Sequence, residues 1–222
     1  LGFGTALPVV KACEKASVKR VIFISSTSVF TSINASSKKI RNKAENIIKK
    51  SNLIWSIIRP TMIYGTPKDR NMIRLIRWID KVPIIPIFGD GNSLQQPVYV
   101  KDLAKFIVDI LDNENSFKND FNISGKSPLT FNQIIREISD ILNKRPFKIY
   151  LPYLLCVRIM NIFEYFKINF PIKGEQILRL NENKSFSYSK AATLIGYKPV
   201  DFNNAINNEI KIYKNIDKKN IQ

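Results

Sequence analysis

Two adjacent serines, Ser25 and Ser26, follow the apolar run Val21–Ile24, and two lysines, Lys39 and Lys43, stand four residues apart in "SSKKIRNKAENIIKK". Side chains at i and i+4 share one face of a helix. A hydroxyl at a strand end can polarise a substrate oxygen, or it can simply end the strand. A lysine desolvated beside a second cation has its pKa lowered and can act as a base, whereas a solvated surface lysine cannot. Tyr64 and Lys68 form the one Tyr-x-x-x-Lys spacing in the chain, but Gly65 and Pro67 lie between them and break any helix. Histidine is absent, which excludes Ser-His-Asp and Cys-His nucleophile systems and any His-ligated metal. The two cysteines, Cys13 and Cys156, build neither a zinc site nor a disulfide framework, so no metal is expected and both read as core thiols in a reducing cytoplasm.

These side chains need elements to hold them. Thr5 to Ala16 carries Leu7, Val10, Ala12 and Cys13 at helical spacing. Val21–Ile24 is a continuous apolar run, the mark of a strand covered on both faces. Lys38 to Lys50 reads as a helix with Ile40, Ala44, Ile47 and Ile48 on one stripe, and "LIWSIIRP" reads as a second buried strand stopped by Pro60. Strand, helix, strand with a right-handed crossover is one unit of a parallel doubly wound sheet. Further helices are expected over Asn71–Lys81, Asp102–Leu111, Phe131–Leu142 with Thr130 as its cap, and Leu154–Phe166. "FNISG" and "FKIYLP" read as strands, and "IIPIFGDGNSLQQPVYV" as two extended pieces about a Gly-Asp-Gly turn. "YSKAATLIGYKP" reads as a small helix and turn, and the stretch from Asp201 as a lysine-rich helix. The fold class is therefore α/β, a partial Rossmann-type doubly wound parallel sheet with a small mixed α/β C-terminal substrate lobe. Residues 1–70 read as the second half of a dinucleotide-binding domain and 71–222 as the substrate lobe with interleaved sheet elements.

Four stretches occur in one order: "VKRVIFISSTSVF", "KAENIIKKSNLIWSIIRPTMIYG", "IFGDGNSLQQPVYVKDLAKFIVDIL" and "FNISGKSPLTFNQIIREI". Together they resemble the extended short-chain dehydrogenase/reductase superfamily, in its NAD-dependent epimerase/dehydratase group. "RPTMIYG", "QPVYVKDLA" and "EQILRLNENKSFSY" look closest to an atypical branch. That branch holds nucleotide-sugar epimerase-like proteins and a dehydrogenase-like accessory subunit of respiratory complex I. The resemblance covers nearly the whole chain and implies NAD or NADP as cofactor. It also implies an N-terminal strand, glycine-rich turn and helix that hold the cofactor pyrophosphate. No such glycine-rich motif occurs, and the chain reads as N-terminally truncated.

In active relatives a Ser or Thr binds the substrate oxygen, a Tyr moves its proton, and a Lys one helical turn later binds the nicotinamide ribose. A free Tyr with a pKa of about 10 is a poor base at neutral pH, and the neighbouring cation stabilises its phenolate. By this resemblance Ser26 and Lys43 take the catalytic Ser/Thr and Lys positions, and Lys39 stands where the Tyr is expected. Ser25, Lys43, Pro60, Thr61 and Met62 would line the cofactor, although Pro60 reads equally as a strand stop and Lys43 as a plain helix lysine. Arg70 or Arg74 could meet a substrate phosphate, because a guanidinium suits bidentate contact. Gln95-Gln96-Pro97 lies where sugar-nucleotide enzymes often carry an Arg, which puts Gln96 at the substrate site and weakens a nucleotide-sugar assignment.

Two functions fit these residues. One is an NAD(P)-dependent oxidoreductase acting on a nucleotide sugar or related alcohol. The resemblance to this superfamily favours that enzyme as the leading expectation; the alternative is a non-catalytic NAD(P)-binding scaffold or assembly subunit, which the missing Tyr favours. The 222 residues are 45% apolar and carry a net charge of +17, with a pI of about 9.9. The lysines are spread along the chain and no Arg-rich arm or RNA-binding aromatic motif occurs, so no specific nucleic-acid partner is expected. No apolar run reaches the roughly eighteen residues that span a bilayer. The nearest, Leu151–Phe166, is broken by Arg158 and Glu164. The expected partner is a small-molecule substrate, with a homodimer also allowed.

Overall fold

The apolar run Ile54–Pro60 becomes a strand of a parallel sheet that is buried almost throughout, whereas Arg20–Ile24, expected to be covered on both faces as well, stands at the end of the described sheet with its side chains half-buried and Ile24 46% exposed. The computed structural model describes residues 3–33, 36–69, 71–166 and 174–219. Along them run α1 (Ala6–Lys15), β1 (Arg20–Ile24), α2 (Ser36–Lys49), β2 (Ile54–Pro60), β3 (Ile63–Tyr64), α3 (Met72–Lys81), β4 (Ile84–Phe88), β5 (Leu94–Gln95) and β6 (Val98–Tyr99). Then follow α4 (Val100–Asp109), β7 (Asn119–Ile123), β8 (Leu129–Thr130), α5 (Phe131–Leu142), β9 (Phe147–Leu151), α6 (Tyr153–Tyr165), α7 (Gly174–Leu180), α8 (Ser189–Ile195) and α9 (Phe202–Lys219).

The chain forms two compact units, and it passes between them several times. The first comprises Leu1–Ile63, Pro97–Lys126 and Phe186–Val200. Its sheet has the order β1–β2–β7, all parallel, with Phe23 opposite Ile57 and Ile58 opposite Phe121. On one face Val10, Ile48, Leu53, Trp55 and Ile57 form a buried cluster, with Val21 and Phe23 packed against it. On the other, Ile58, Leu103, Phe106, Phe121, Ile123 and Tyr197 form a second cluster. Phe106 meets the ring edges of Phe121 and Tyr197 at 5.4 and 5.5 Å. The expected α/β class with a parallel sheet and covering helices is therefore what the chain forms.

The second unit comprises Tyr64–Gln96, Ser127–Ser185 and Asp201–Gln222. Here α3, α5 and α9 pack on one another. Thr130 caps α5 as expected: its Oγ1 accepts from the Gln133 amide at 3.1 Å, and the Gln133 side chain accepts from the Thr130 amide at 2.7 Å. β4 and β9 pair in parallel, β5 and β8 antiparallel. The Gly89-Asp90-Gly91 turn needs its glycines, for both have positive φ (+91° and +70°), and a Cβ on Gly89 would lie 2.1 Å from the Asn181 side chain. Helix α7 escaped the sequence pattern, being only seven residues long.

Candidate functional site

In open α/β sheets, ligands bind in the crevice outside the carboxyl ends of the strands. In the first unit those ends belong to adjacent strands and are tied together. The Ser25 amide donates to the Ile58 carbonyl at 2.7 Å, the Thr61 amide to the Ile123 carbonyl at 3.0 Å, and Thr27 Oγ1 to the Pro60 carbonyl at 3.3 Å. Ser25 and Pro60 are buried, whereas Ser26, Thr61 and Met62 are half-buried. Ser26 Oγ accepts from the Ser28 amide at 3.2 Å and so caps the short turn Thr27–Phe30. Ser26 and Pro60 thus lie at one edge of one sheet.

Just below this edge lies a charged network that sequence reading did not find. Ser25 Oγ donates to Glu45 Oε1 at 2.6 Å. Arg59 Nε and Nη2 donate to Glu45 at 2.9 and 2.5 Å, and Arg59 Nη2 also reaches Asp120 at 3.1 Å. Lys49 Nζ completes the chain on Asp120 at 2.5 Å. The side chains of Arg59 and Glu45 are each only 8% exposed, so each charge depends on the other for compensation. Burial works against the Arg59 charge, but Glu45 and Asp120 outweigh it and hold its pKa above the ordinary value. Burial likewise opposes the Asp120 carboxylate, and Lys49 and Arg59 overcome it, keeping that pKa below the usual range. One legible signal existed: Glu45 sits between Ala44 and Ile48 on the apolar stripe of its helix.

Glu45 also fixes the rotation of α2. Ala44, Glu45 and Ile48 are buried, and Ser37 and Arg41 are half-buried on the same face. Lys39 and Lys43 are exposed on the opposite face. Ile40, expected on the buried stripe, is 48% exposed. The helix has turned its Arg41–Glu45 side inward because Glu45 finds Ser25 and Arg59 there. Since α2 begins at the carboxyl edge and runs back along the sheet, Arg41 stands one helical turn nearer that edge than Glu45. Its Nε and Nη1 atoms are shielded from solvent. The i, i+4 pair on the inward face is therefore Ser37 and Arg41.

The remaining candidates lie elsewhere. Gln95 and Gln96 are buried in the second unit, where the Gln95 amide donates to the Glu182 carbonyl at 3.3 Å. Lys184 Nζ approaches Gln95 Oε1 at 3.5 Å and also donates to the Arg179 carbonyl. Burial pulls the Lys184 ammonium down to about 8. Arg70 lies outside the described residues. Among the described residues no cluster of acidic or cysteine side chains could hold a metal ion.

A family model described as NAD(P)H-binding matches residues 4–114, half of the chain. The chain belongs to this NAD(P)H-binding family. It is 26% identical over 176 residues to NADH dehydrogenase [ubiquinone] 1 alpha subcomplex subunit 9, mitochondrial, from Arabidopsis thaliana, covering 77% of this chain and 43% of that protein. It is 28% identical over 166 residues to the N-acetyl-alpha-D-glucosaminyl-diphospho-ditrans,octacis-undecaprenol 4-epimerase of Escherichia coli O157:H7, covering 66% of this chain and 50% of that one. The chain thus spans half or less of the length of these curated relatives. A crystal structure of UDP-glucuronic acid 4-epimerase from Bacillus cereus, in complex with UDP-glucuronic acid and NAD, superposes with a TM-score of 0.72. It covers 97% of this chain and 68% of that chain at 21% identity, which shows the shared fold. The expected likeness to the epimerase/dehydratase group and to a complex I subunit is borne out. Residues 4–114 are part of an NAD(P)H-binding domain.

Proposed function

We propose that the protein binds NAD(P) without turning over a substrate, as a dinucleotide-holding scaffold or assembly subunit. The inward face of α2 carries the reading. A working site of this group needs a phenol and an amine four residues apart on the face that looks into the crevice. On the buried side of α2 stand Ser37, Lys38 and Arg41, all half-buried, while Lys39 and Lys43 are exposed, and no tyrosine lies on the helix. A guanidinium stays charged at any ordinary pH and moves no proton, and Ser37 has no histidine in the chain to activate it.

The carboxyl edge still fits the nicotinamide-ribose part of a dinucleotide. Ser26 and Thr61 supply half-buried hydroxyls, Pro60 closes the end of β2, and Met62 follows. Arg41, half-buried on α2, adds fixed positive charge near this edge. When bound, NAD(P) would supply hydride chemistry; the residues described here would hold and orient it. Similarity to an NADH dehydrogenase subunit supports this reading.

A second reading is hydride transfer on a nucleotide sugar or a related alcohol, and similarity to a sugar 4-epimerase favours it. Nicotinamide fluorescence and isotope exchange on the full-length protein separate the two. The scaffold reading expects NADH or NADPH to bind and no label to pass between cofactor and a panel of nucleotide sugars. Exchange with any of them overturns it, and failure of both dinucleotides to bind overturns both readings.

A further inference from the structure

Among the described residues of the second unit, one helix carries an apolar face that is exposed. Nine of the 24 exposed large apolar side chains among the described residues fall within residues 147–166. On α6 and its cap they are Leu154, Leu155, Ile159, Ile162, Tyr165 and Phe166, each 38% to 82% exposed. The 3.6-residue repeat brings all six to one face, with the buried Met160 on the other. In the preceding strand β9, Phe147 and Ile149 on one side and Tyr150 on the other are also exposed, at 69%, 39% and 51%. Exposed apolar residues usually occur singly, and a contiguous run of them marks an interaction site.

Charge selects the occupant. Of the four basic residues between 144 and 166, Lys144 and Arg145 pair with Asp80 (3.7 Å) and Asp140 (2.7 Å), which leaves Lys148 and Arg158 beside Glu164 as the charges nearest the apolar face. Arg158 is exposed within the apolar face itself. Two copies meeting here would bring +17 against +17, and like net charge opposes association. An anionic bilayer accepts both features. Leucine and isoleucine side chains enter the boundary between headgroups and acyl chains, tyrosine hydroxyls stay wet, and arginine reaches lipid phosphates. With 13 residues, α6 is about 20 Å long and lies in the plane of such a surface without crossing it. We propose that α6 forms a docking face for an anionic lipid bilayer. This surface is independent of the cofactor reading.

Flotation of the full-length protein with vesicles tests it, comparing phosphatidylcholine alone with phosphatidylcholine containing phosphatidylglycerol. The wild type should float roughly tenfold more with the anionic vesicles, less so as salt rises. The double variant Leu155→Glu/Ile162→Glu should lose flotation while its circular dichroism and unfolding midpoint stay unchanged. Tyr165→Ser/Phe166→Ser, at the end of the helix, gives the same reading if the first variant fails to fold. Binding to neither vesicle overturns the proposal. So does equal flotation of wild type and both variants, because bulk charge would then suffice. Concentration-dependent dimerisation removed by the same substitutions also overturns it, in favour of a second copy of the chain.

Discussion

Glu45 joins three elements through one carboxylate: Ser25 after β1, Arg59 in β2, and its own helix α2. Removing it leaves a buried guanidinium with Asp120 as its remaining carboxylate partner among the described residues. Glu45→Ala should therefore cost about 3–5 kcal/mol, read as a fall in the urea midpoint. Lys49→Met, on the exposed side of the same network, should cost less than about 1 kcal/mol. Equal losses would show that the network acts as loose surface charge. A second buried carboxyl works in the opposite sense. Glu209 is 1% exposed, and burial, followed by the neighbouring Asp69, pushes its pKa up to about 9 from 4.5. Between those values the folded state keeps a proton that the unfolded state has released. Its contribution is thus most favourable below pH 4.5 and declines as pH rises to about 9. Glu209→Gln should raise stability at neutral pH by about 1–3 kcal/mol and flatten the fall toward alkaline pH. A destabilised variant with an unchanged pH slope would contradict this.

Elements were largely legible because their signals are local. Continuous apolar runs gave β1 and β2, and Thr130, a residue type favoured at helix caps, gave the start of α5. Thr130→Ala should cost about 1 kcal/mol by freeing the first-turn amide of Gln133, a loss that Thr130→Ser should largely restore in thermal unfolding. The rotation of α2 was not legible. Its apolar residues Ile40, Ala44, Ile47 and Ile48 point to a buried stripe, yet Ile40 is exposed and Glu45 is buried. What turns the helix is a pair of charges that lie 14 residues apart in the chain and meet only when the sheet forms. Hydrophobic periodicity alone does not rank a carboxylate such as Glu45 as buried, and the assignment of Lys43 rests on the family resemblance. The short helix α7 and the two-residue strands escaped for a different reason, since so few residues carry no periodic signal.

At the scale of the molecule, a parallel sheet decides where chemistry can occur, because all its carboxyl ends meet on one side. The order β1–β2–β7 brings Ser26 and Pro60 together there, and that much follows from two apolar runs and one crossover. Which helix side chains face the same edge depends on packing across the whole first unit. The apolar surface of α6 in the second unit was likewise hidden, since its residues read in sequence as an ordinary buried helix. Net charge of +17 acts on both partners and stability, and it should make any membrane association salt-sensitive. The most direct measurement is an NADH titration, followed by nicotinamide fluorescence, of the full-length protein and its Arg41→Ala and Lys43→Ala variants. If Arg41 faces the dinucleotide, Arg41→Ala weakens binding roughly tenfold, as expected for loss of one charge-assisted hydrogen bond, and Lys43→Ala leaves it unchanged. Loss of affinity in Lys43→Ala with Arg41→Ala at the wild-type level would place the lysine face at the cofactor and contradict the rotation of α2.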